Sequence, residues 1–142
     1  MELRPFGTLT IETDPEGLFM LGTTTPAGRR IIQEFRSVRL EGERLRATMT
    51  AKAGADWLTV SAEGRATIDI RVLMLTDDGA LVYVTLDGRA HWPDALGRGP
   101  IYSTARLESG DERYAWVNDL PLVSKGAVTP ERAVAHELFE LL

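Results

Sequence analysis

The feature that most constrains this chain is a pair of β-rich segments, residues 66–75 and 80–86, which flank Thr76-Asp77-Asp78-Gly79. An Asp-Gly step between such segments favours a tight hairpin, because a type I′ turn requires positive φ and glycine has no Cβ to clash there. We therefore predict two long antiparallel strands with a structural turn between them. Asp77 and Asp78 are explained by that turn without a bound metal.

Residues 66–75 alternate, so the strand has two distinct faces. One face is formed by Ala66, Ile68, Ile70, Val72 and Met74, and the other by Thr67, Asp69, Arg71, Leu73 and Leu75. A buried charge needs a partner, and Asp69 and Arg71 are two residues apart on one face. Two interpretations stay open: an exposed ion pair of little energetic value, or a polar pair inside a cavity. Leu73 and Leu75 on the same face favour the cavity, and we adopt that interpretation for the candidate pocket.

Length, charge and cysteine content limit the class of protein. A chain of 142 residues predicts one domain, residues 1–142. The net charge of −5 disfavours nucleic acid and anionic membranes as partners. The chain has no cysteine, which excludes disulfides and thiolate metal sites. We find neither a signal segment nor an apolar run long enough to span a bilayer, so a cytoplasmic protein is expected.

Alternation and turn residues predict strands in the rest of the chain. These are residues 6–12, 17–22, 29–40, 44–52, 57–62, 101–108, 113–118 and 120–124. Residues 132–142 fit helical spacing as well as alternation, and a closing strand is favoured because the remainder is β. Residues 90–100 are rich in glycine and proline and form a candidate lid. About ten short strands without a convincing helix predict an antiparallel sandwich or barrel.

Several short motifs occur together and in order along the chain. They are Gly54-Ala55-Asp56-Trp57, Asp69-Ile70-Arg71, Thr76-Asp77-Asp78-Gly79-Ala80, Ser109-Gly110-Asp111 and Arg113-Tyr114-Ala115-Trp116. With these motifs the chain resembles domain-of-unknown-function family 3237 from about Leu9 to its C-terminus. The resemblance implies a single-domain antiparallel β-barrel with an internal cavity. It also implies that members bind small molecules and that some are cofactor-free enzymes.

The candidate pocket combines charged and aromatic side chains, which is the usual profile of a ligand site. The candidate catalytic residues are Asp69, Arg71, Asp56 and Tyr102, and the candidate ligand-binding residues are Tyr83, Trp57, Arg106, Tyr114, Trp116, Asn118 and Trp92. Asp56, Asp69 or Tyr102 would transfer a proton, while Arg71 or Arg106 would hold an anionic oxygen. For any single aromatic residue, core packing with its polar tip hydrogen-bonded is the simpler explanation.

No motif indicates a cofactor or a metal. His91 and His136 are the only histidines, and they lack the spacing of metal ligands. We interpret His136 as a strand residue and His91 as a loop residue. The chain has neither a glycine-rich phosphate loop nor a nucleophile elbow, which disfavours nucleotide binding and serine-hydrolase chemistry.

Three functions fit these observations. The first is a cofactor-independent lyase or isomerase, of cyclase or hydratase type, acting on a small hydrophobic or aromatic molecule. The second is a non-catalytic carrier of such a ligand, and the third is an interaction protein with a filled barrel. A homodimer stays open in each case. A carboxylate or phenol that faces the cavity with a shifted pKa would favour the enzyme, which we adopt as the leading hypothesis.

Overall fold

The computed structural model describes residues 1–142 and forms one closed antiparallel β-barrel of eight strands. The strands are β1 (Leu3–Met20), β2 (Arg29–Glu41), β3 (Arg46–Val60), β4 (Arg65–Thr76), β5 (Leu81–His91), β6 (Ile101–Glu108), β7 (Leu122–Val128) and β8 (Val134–Leu141). Each strand pairs with the next along the chain, and β8 pairs with β1 to close the barrel. The predicted all-β barrel is confirmed. None of its helical segments has the length and apolar character required to cross a membrane.

The barrel has eight strands rather than about ten, because two predicted breaks lie inside continuous strands. The register of β1 against β2 shifts between Glu12 and Leu18, within a single strand. The register of β3 against β4 shifts between Met49 and Gly54, and Ala51 between them has a φ of 49°. Bulges of this kind hold extra residues without ending the strand. Residues that resemble turns in the sequence are therefore absorbed into the sheet.

The prediction of a strand over residues 113–118 is wrong, since a 3-10 helix occupies Glu112–Asp119. The Asp111 carboxylate caps its start by accepting a hydrogen bond from the backbone N–H of Arg113 at 2.9 Å. Such local side-chain bonds compete with a sheet ladder and favour helical turns. Val117 is fully buried, so the helix packs onto one end of the barrel.

The central hairpin and the closing strand are confirmed. Gly79 has a φ of 91°, and the Thr76 hydroxyl accepts a hydrogen bond from the N–H of Ala80 at 2.8 Å. β8 covers most of the segment predicted to close the barrel, and His136 lies on it. His91, predicted in a loop, is instead the last residue of β5.

The apolar face of β4 fills the barrel interior together with the matching faces of the other strands. Its five members from Ala66 to Met74 are each at most 3% exposed. The 3-10 helix covers one end of the barrel, where the Arg44 guanidinium stacks 4.4 Å from the Trp116 ring. The loop after β5 covers the other end. There Trp92 is buried, and its indole N–H donates to the Gly99 carbonyl at 3.2 Å.

Candidate active site

A cavity of about 150 Å³ lies inside the barrel at the end covered by Trp92. Most of its wall is apolar, with side chains from β1 to β4 that include Ile11, Ile31, Leu58, Ile68 and Ile70. Its polar lining comes from Thr13, Gln33, Asp56 and His136. No lysine or arginine lines it. The cavity is therefore a small apolar space with a few polar groups at defined positions, as in most ligand sites.

Asp56 is the acidic group of this cavity. It lies on β3, on the same inward-facing side of the strand as the buried residues Leu58 and Val60. Its neighbours across the sheet are Gln33 on β2 and Ile70 on β4. Its Oδ1 accepts a hydrogen bond from the backbone N–H of Asp69 at 3.0 Å. Its Oδ2 makes no hydrogen bond within the chain, which leaves that oxygen free for a ligand.

Burial raises the pKa of Asp56 from 3.8 to about 7. The hydrogen bond from the Asp69 amide lowers the pKa by a smaller amount, and the nearby Asp69 charge raises it further. The carboxyl group is therefore present in both protonation states near neutral pH. Such a group can accept a proton in one step and return it in the next.

His136 is the second titratable group of the cavity. It lies on β8 with no exposed surface, and neither ring nitrogen has a hydrogen-bond partner in the chain. Burial lowers the pKa of His136 from 6.5 to about 4, so the ring is neutral at pH 7. A neutral imidazole offers one N–H donor and one nitrogen acceptor.

Asp56 on β3 and His136 on β8 both line this cavity, and β1 and β2 lie between their strands around the barrel. A molecule in the cavity would have both a carboxyl group and a neutral imidazole in the wall around it. This arrangement can move a proton at one position of a ligand while it hydrogen-bonds another. The chain has no cluster of three histidine or acidic side chains that could hold a metal ion.

The prediction that Asp69 and Arg71 face into the cavity is wrong. Both lie on the outer face of β4, with side chains that are 41% and 54% exposed and form an ion pair at 2.9 Å. The Arg71 guanidinium also lies 5.4 Å from the ring of Trp57, which lines the outer surface beside it. The uniformly apolar face of β4 fills the interior, so the mixed face is left outside.

Three more predicted residues lie on the outer surface. Tyr83 and Tyr102 are 37% and 56% exposed, and Arg106 is exposed on the same face of β6 as Tyr102. Lys125 lies 5.8 Å from the Tyr102 ring. These side chains belong to the strand faces opposite to the barrel interior, so the sheet does not bring them to the cavity.

The candidate ligand-binding residues Tyr114, Trp116 and Asn118 lie in the 3-10 helix, at the end of the barrel away from the cavity. The Tyr114 hydroxyl donates to the Asp78 carboxylate at 2.8 Å, and the Trp116 ring packs against Phe6. Asn118 accepts from the Ser109 N–H and donates to the Ser109 carbonyl, each at 2.9 Å. Tyr114 and Trp116 stabilise the end of the barrel that the 3-10 helix covers, whereas Asn118 lines a groove on the outer surface together with Tyr83 and Arg106. Of the predicted site residues, only Asp56 and Trp92 line the cavity.

Sequence reasoning missed His136 and Gln33 as cavity residues. His136 lies on the same strand face as Leu138, which is buried. The available signal was therefore a single histidine on the apolar face of a predicted strand. Gln33 likewise lies on the same strand face as Ile31 and Phe35, both of which are buried. A polar residue at an inward position of a closed barrel marks the polar part of its interior.

The same barrel occurs in solved structures. A β-barrel-like protein from Acinetobacter baumannii is 27% identical, with a TM-score of 0.85 over 99% of this chain and 96% of that one. A protein of unknown function from Clostridium acetobutylicum is 20% identical, with a TM-score of 0.87 over 100% of both chains. An enzyme from Penicillium herquei is 17% identical, with a TM-score of 0.66 over 96% of this chain and 93% of that one, which shows a shared fold.

A comparison with curated proteins gave no significant match. The family model described as "Protein of unknown function (DUF3237)" matches residues 1–141, nearly the whole chain. The match agrees with the resemblance drawn from the motifs around Asp56, Asp69 and Gly79. This chain belongs to the DUF3237 family.

Proposed function

We propose that this protein binds a small hydrophobic or aromatic molecule in the Trp92-end cavity and transfers a proton within it, as a cofactor-independent lyase or isomerase. The observation that carries the proposal is Asp56, a carboxyl group in an apolar cavity with a pKa of about 7. Groups tuned to neutral pH by burial are typical of general acids and bases. A filled barrel without function gives no reason to keep a carboxyl group there.

The size of the cavity restricts the ligand. An apolar cavity of roughly 150 Å³ in another protein binds benzene, whereas sites for drug-sized ligands span about 300–1,000 Å³. The present cavity of about 150 Å³ therefore suits a molecule with one ring. A steroid or an extended polyketide would not fit without movement of the loop that carries Trp92.

The proposed role of Asp56 needs no other reagent. As a carboxylate, it takes a proton from the ligand, and the electrons of the broken bond stay on the ligand. As a carboxylic acid, it then returns the proton to another atom, or to a leaving group in a lyase reaction. The enzyme from Penicillium herquei supports the idea that this barrel can host catalysis.

The test begins with the molecule that the protein retains. The protein is purified from its native host, extracted with organic solvent, and the extract is identified by mass spectrometry. That molecule is then incubated in D₂O with the wild type, with Asp56→Asn, and with the control Asp87→Asn, whose side chain is 76% exposed on the outer surface. We expect deuterium in the molecule or its product with the wild type and the control only.

Three results would contradict the proposal. Binding without deuterium incorporation in the wild type would support the carrier alternative. Equal incorporation with Asp56→Asn would assign the proton transfer to another group. A single-ring compound is expected among the extracted molecules, and a protein that retains and binds none would contradict the cavity as a ligand site.

A further inference from the structure

His136 has no partner within the chain, although it shares the cavity with Asp56. We infer that His136 hydrogen-bonds the carbonyl oxygen of the substrate, which is a small cyclic ketone or enone, and that the reaction shifts a double bond through the enolate. The inference rests on the proposed function, since the proton moves through Asp56. It adds a second residue and a substrate class.

The first observation is the isolation of the ring. His136 is 0% exposed, and both Nδ1 and Nε2 lack a hydrogen-bond partner in the chain. Nearly all buried polar side chains in native proteins are hydrogen-bonded, and a buried exception calls for an explanation. His136 belongs to the lining of the cavity, which makes a molecule bound there the candidate partner for the ring.

The second observation is that the ring position is built into the neighbouring strand. Gly126 on β7 pairs with His136, and a Cβ on Gly126 would overlap Nδ1 and Cε1 of the ring. Only glycine leaves room for this edge of the imidazole. The backbone of β7 therefore fixes the ring against one wall.

The chemistry of the lining selects a carbonyl compound. No lysine or arginine lines the cavity, so an anionic ligand would have no positive partner there. A neutral ketone fits better, because it presents an acceptor oxygen to the imidazole N–H and an acidic C–H to the carboxylate. A neutral histidine that polarises a carbonyl is an established arrangement for enolisation.

The step is balanced without a cofactor. The Asp56 carboxylate removes a proton from the carbon beside the carbonyl of a β,γ-unsaturated ketone. The C–H electrons form a new C=C bond, and the C=O π electrons move to oxygen, where the His136 N–H donates a hydrogen bond. The Asp56 carboxylic acid then protonates the γ carbon, the carbonyl re-forms, and the product is the α,β-unsaturated ketone.

The test compares two probes that differ at one atom, cyclohexanone and methylenecyclohexane, in which CH₂ replaces the oxygen. Their dissociation constants are measured for the wild type, His136→Leu and His136→Gln. We expect the wild type to bind the ketone about tenfold more tightly than the alkene, since a hydrogen bond to a buried donor has this value. His136→Leu should abolish the preference, and His136→Gln should restore part of it through its amide N–H.

A second measurement needs no variant. With ¹⁵N-labelled histidine, cyclohexanone should shift the imidazole nitrogen resonances of His136, and methylenecyclohexane should not. Equal affinities for the two probes in the wild type, or an unchanged preference in folded His136→Leu, would overturn the inference. So would identical ¹⁵N shifts with both probes.

The failures of the two proposals are distinguishable. Asp56→Asn should retain the preference for the ketone but lose conversion of cyclohex-3-en-1-one to cyclohex-2-en-1-one. Binding of both probes without discrimination overturns the role of His136 alone. Discrimination without any Asp56-dependent conversion overturns the enolate step and leaves only ligand binding. If neither probe binds, the inference of a ketone substrate is wrong. The proposed function is then still decided by the deuterium experiment with the molecule that the protein retains.

Discussion

The Asp56 carboxyl group accepts a hydrogen bond from the backbone N–H of Asp69, with the nitrogen 3.0 Å from Oδ1. On the same stretch of β3, the Trp57 carbonyl accepts a hydrogen bond from Arg30 Nη1 at 2.8 Å. A side chain thus pairs with each of these two backbone groups: Asp56 with the N–H of Asp69 on β4, and Arg30 of β2 with the carbonyl of Trp57 on β3. Asp69 contributes its backbone to the site, and its side chain faces away.

The first prediction follows from this geometry. Asp69→Ala and Arg71→Ala should each melt close to the wild type, and their effects should add in the double variant, because the ion pair is exposed. Both should keep ligand binding, since alanine retains the backbone N–H. Thermal melts of the singles and the double test this. A large decrease of the melting temperature in either single variant would show that the ion pair stabilises the fold despite its exposure.

The second prediction concerns the dependence of stability on pH. The pKa of Asp56 is raised from 3.8 to about 7, so between these values the folded state holds one proton more than the unfolded state. Its contribution to stability is therefore full below pH 3.8 and is lost as the pH rises to 7. The pKa of His136 is lowered from 6.5 to about 4, so its contribution is full above pH 6.5 and is lost as the pH falls to 4.

The two contributions oppose each other between pH 4 and 6.5, each on the order of 3 kcal/mol, so they nearly cancel in the wild type. Removing one of the two titratable side chains should reveal the pH dependence contributed by the other. The free energy of unfolding of Asp56→Asn should rise with pH across this window, and that of His136→Leu should fall. Urea denaturation at several pH values measures both slopes. If the free energy of unfolding depended on pH in the same way in all three proteins, the pKa values of Asp56 and His136 would not be shifted by burial as described.

The third prediction uses a pair of glycines. A Cβ on Gly126 would overlap the His136 ring, whereas nothing lies within 4 Å of a Cβ on Gly110. Gly126→Ala should destabilise the protein by about 1–3 kcal/mol, as overpacking does, and should weaken binding of cyclohexanone. Gly110→Ala should do neither. Chemical denaturation and the ketone affinity measure the two effects, and equal behaviour of the two variants would show that the ring moves freely.

The fourth prediction concerns the central turn. Gly79 has a φ of 91° with open space around it, so only backbone conformation opposes a side chain there. Gly79→Val should cost roughly 1 kcal/mol or more, because a β-branched residue resists positive φ, and Gly79→Asn should cost less. Thermal melts compare the two. A substantial shift of the melting temperature by calcium or EDTA would contradict the interpretation of this turn as purely structural.

Much of the fold could be predicted from the sequence, because alternation and turn residues report local geometry. Alternation in residues 66–75 separates two faces correctly, but it does not state which one lies inside. The face with Asp69 and Arg71 also carries Leu73 and Leu75, and only closure of the barrel decides between them. The same ambiguity placed Tyr102 and Arg106 in the pocket.

The remaining errors have local causes. The bulges of β1 and β3 resemble turns in the sequence, because Pro15 and Gly17 lie in the first and Gly54 ends the second, although the residue with positive φ in β3 is Ala51. The alternating aromatics of residues 113–118 resemble a strand, whereas the cap at Asp111 and the pairing of Asn118 with Ser109 stabilise a 3-10 helix. The prediction of His136 as a strand residue is confirmed, since it lies on β8. Its role in the cavity depends on strands distant in sequence, which pattern alone does not bring together.

The most direct test of the central claim is a titration of the Asp56 side chain. The ¹³Cγ resonance of Asp56, assigned by comparison with Asp56→Asn, is followed by NMR from acid to alkaline pH. We expect a midpoint near pH 7, because burial in the cavity disfavours the charged carboxylate. A midpoint near pH 4, the ordinary range of an aspartate, would show a carboxylate that is fully charged at neutral pH, and would contradict Asp56 as the proton-transfer group.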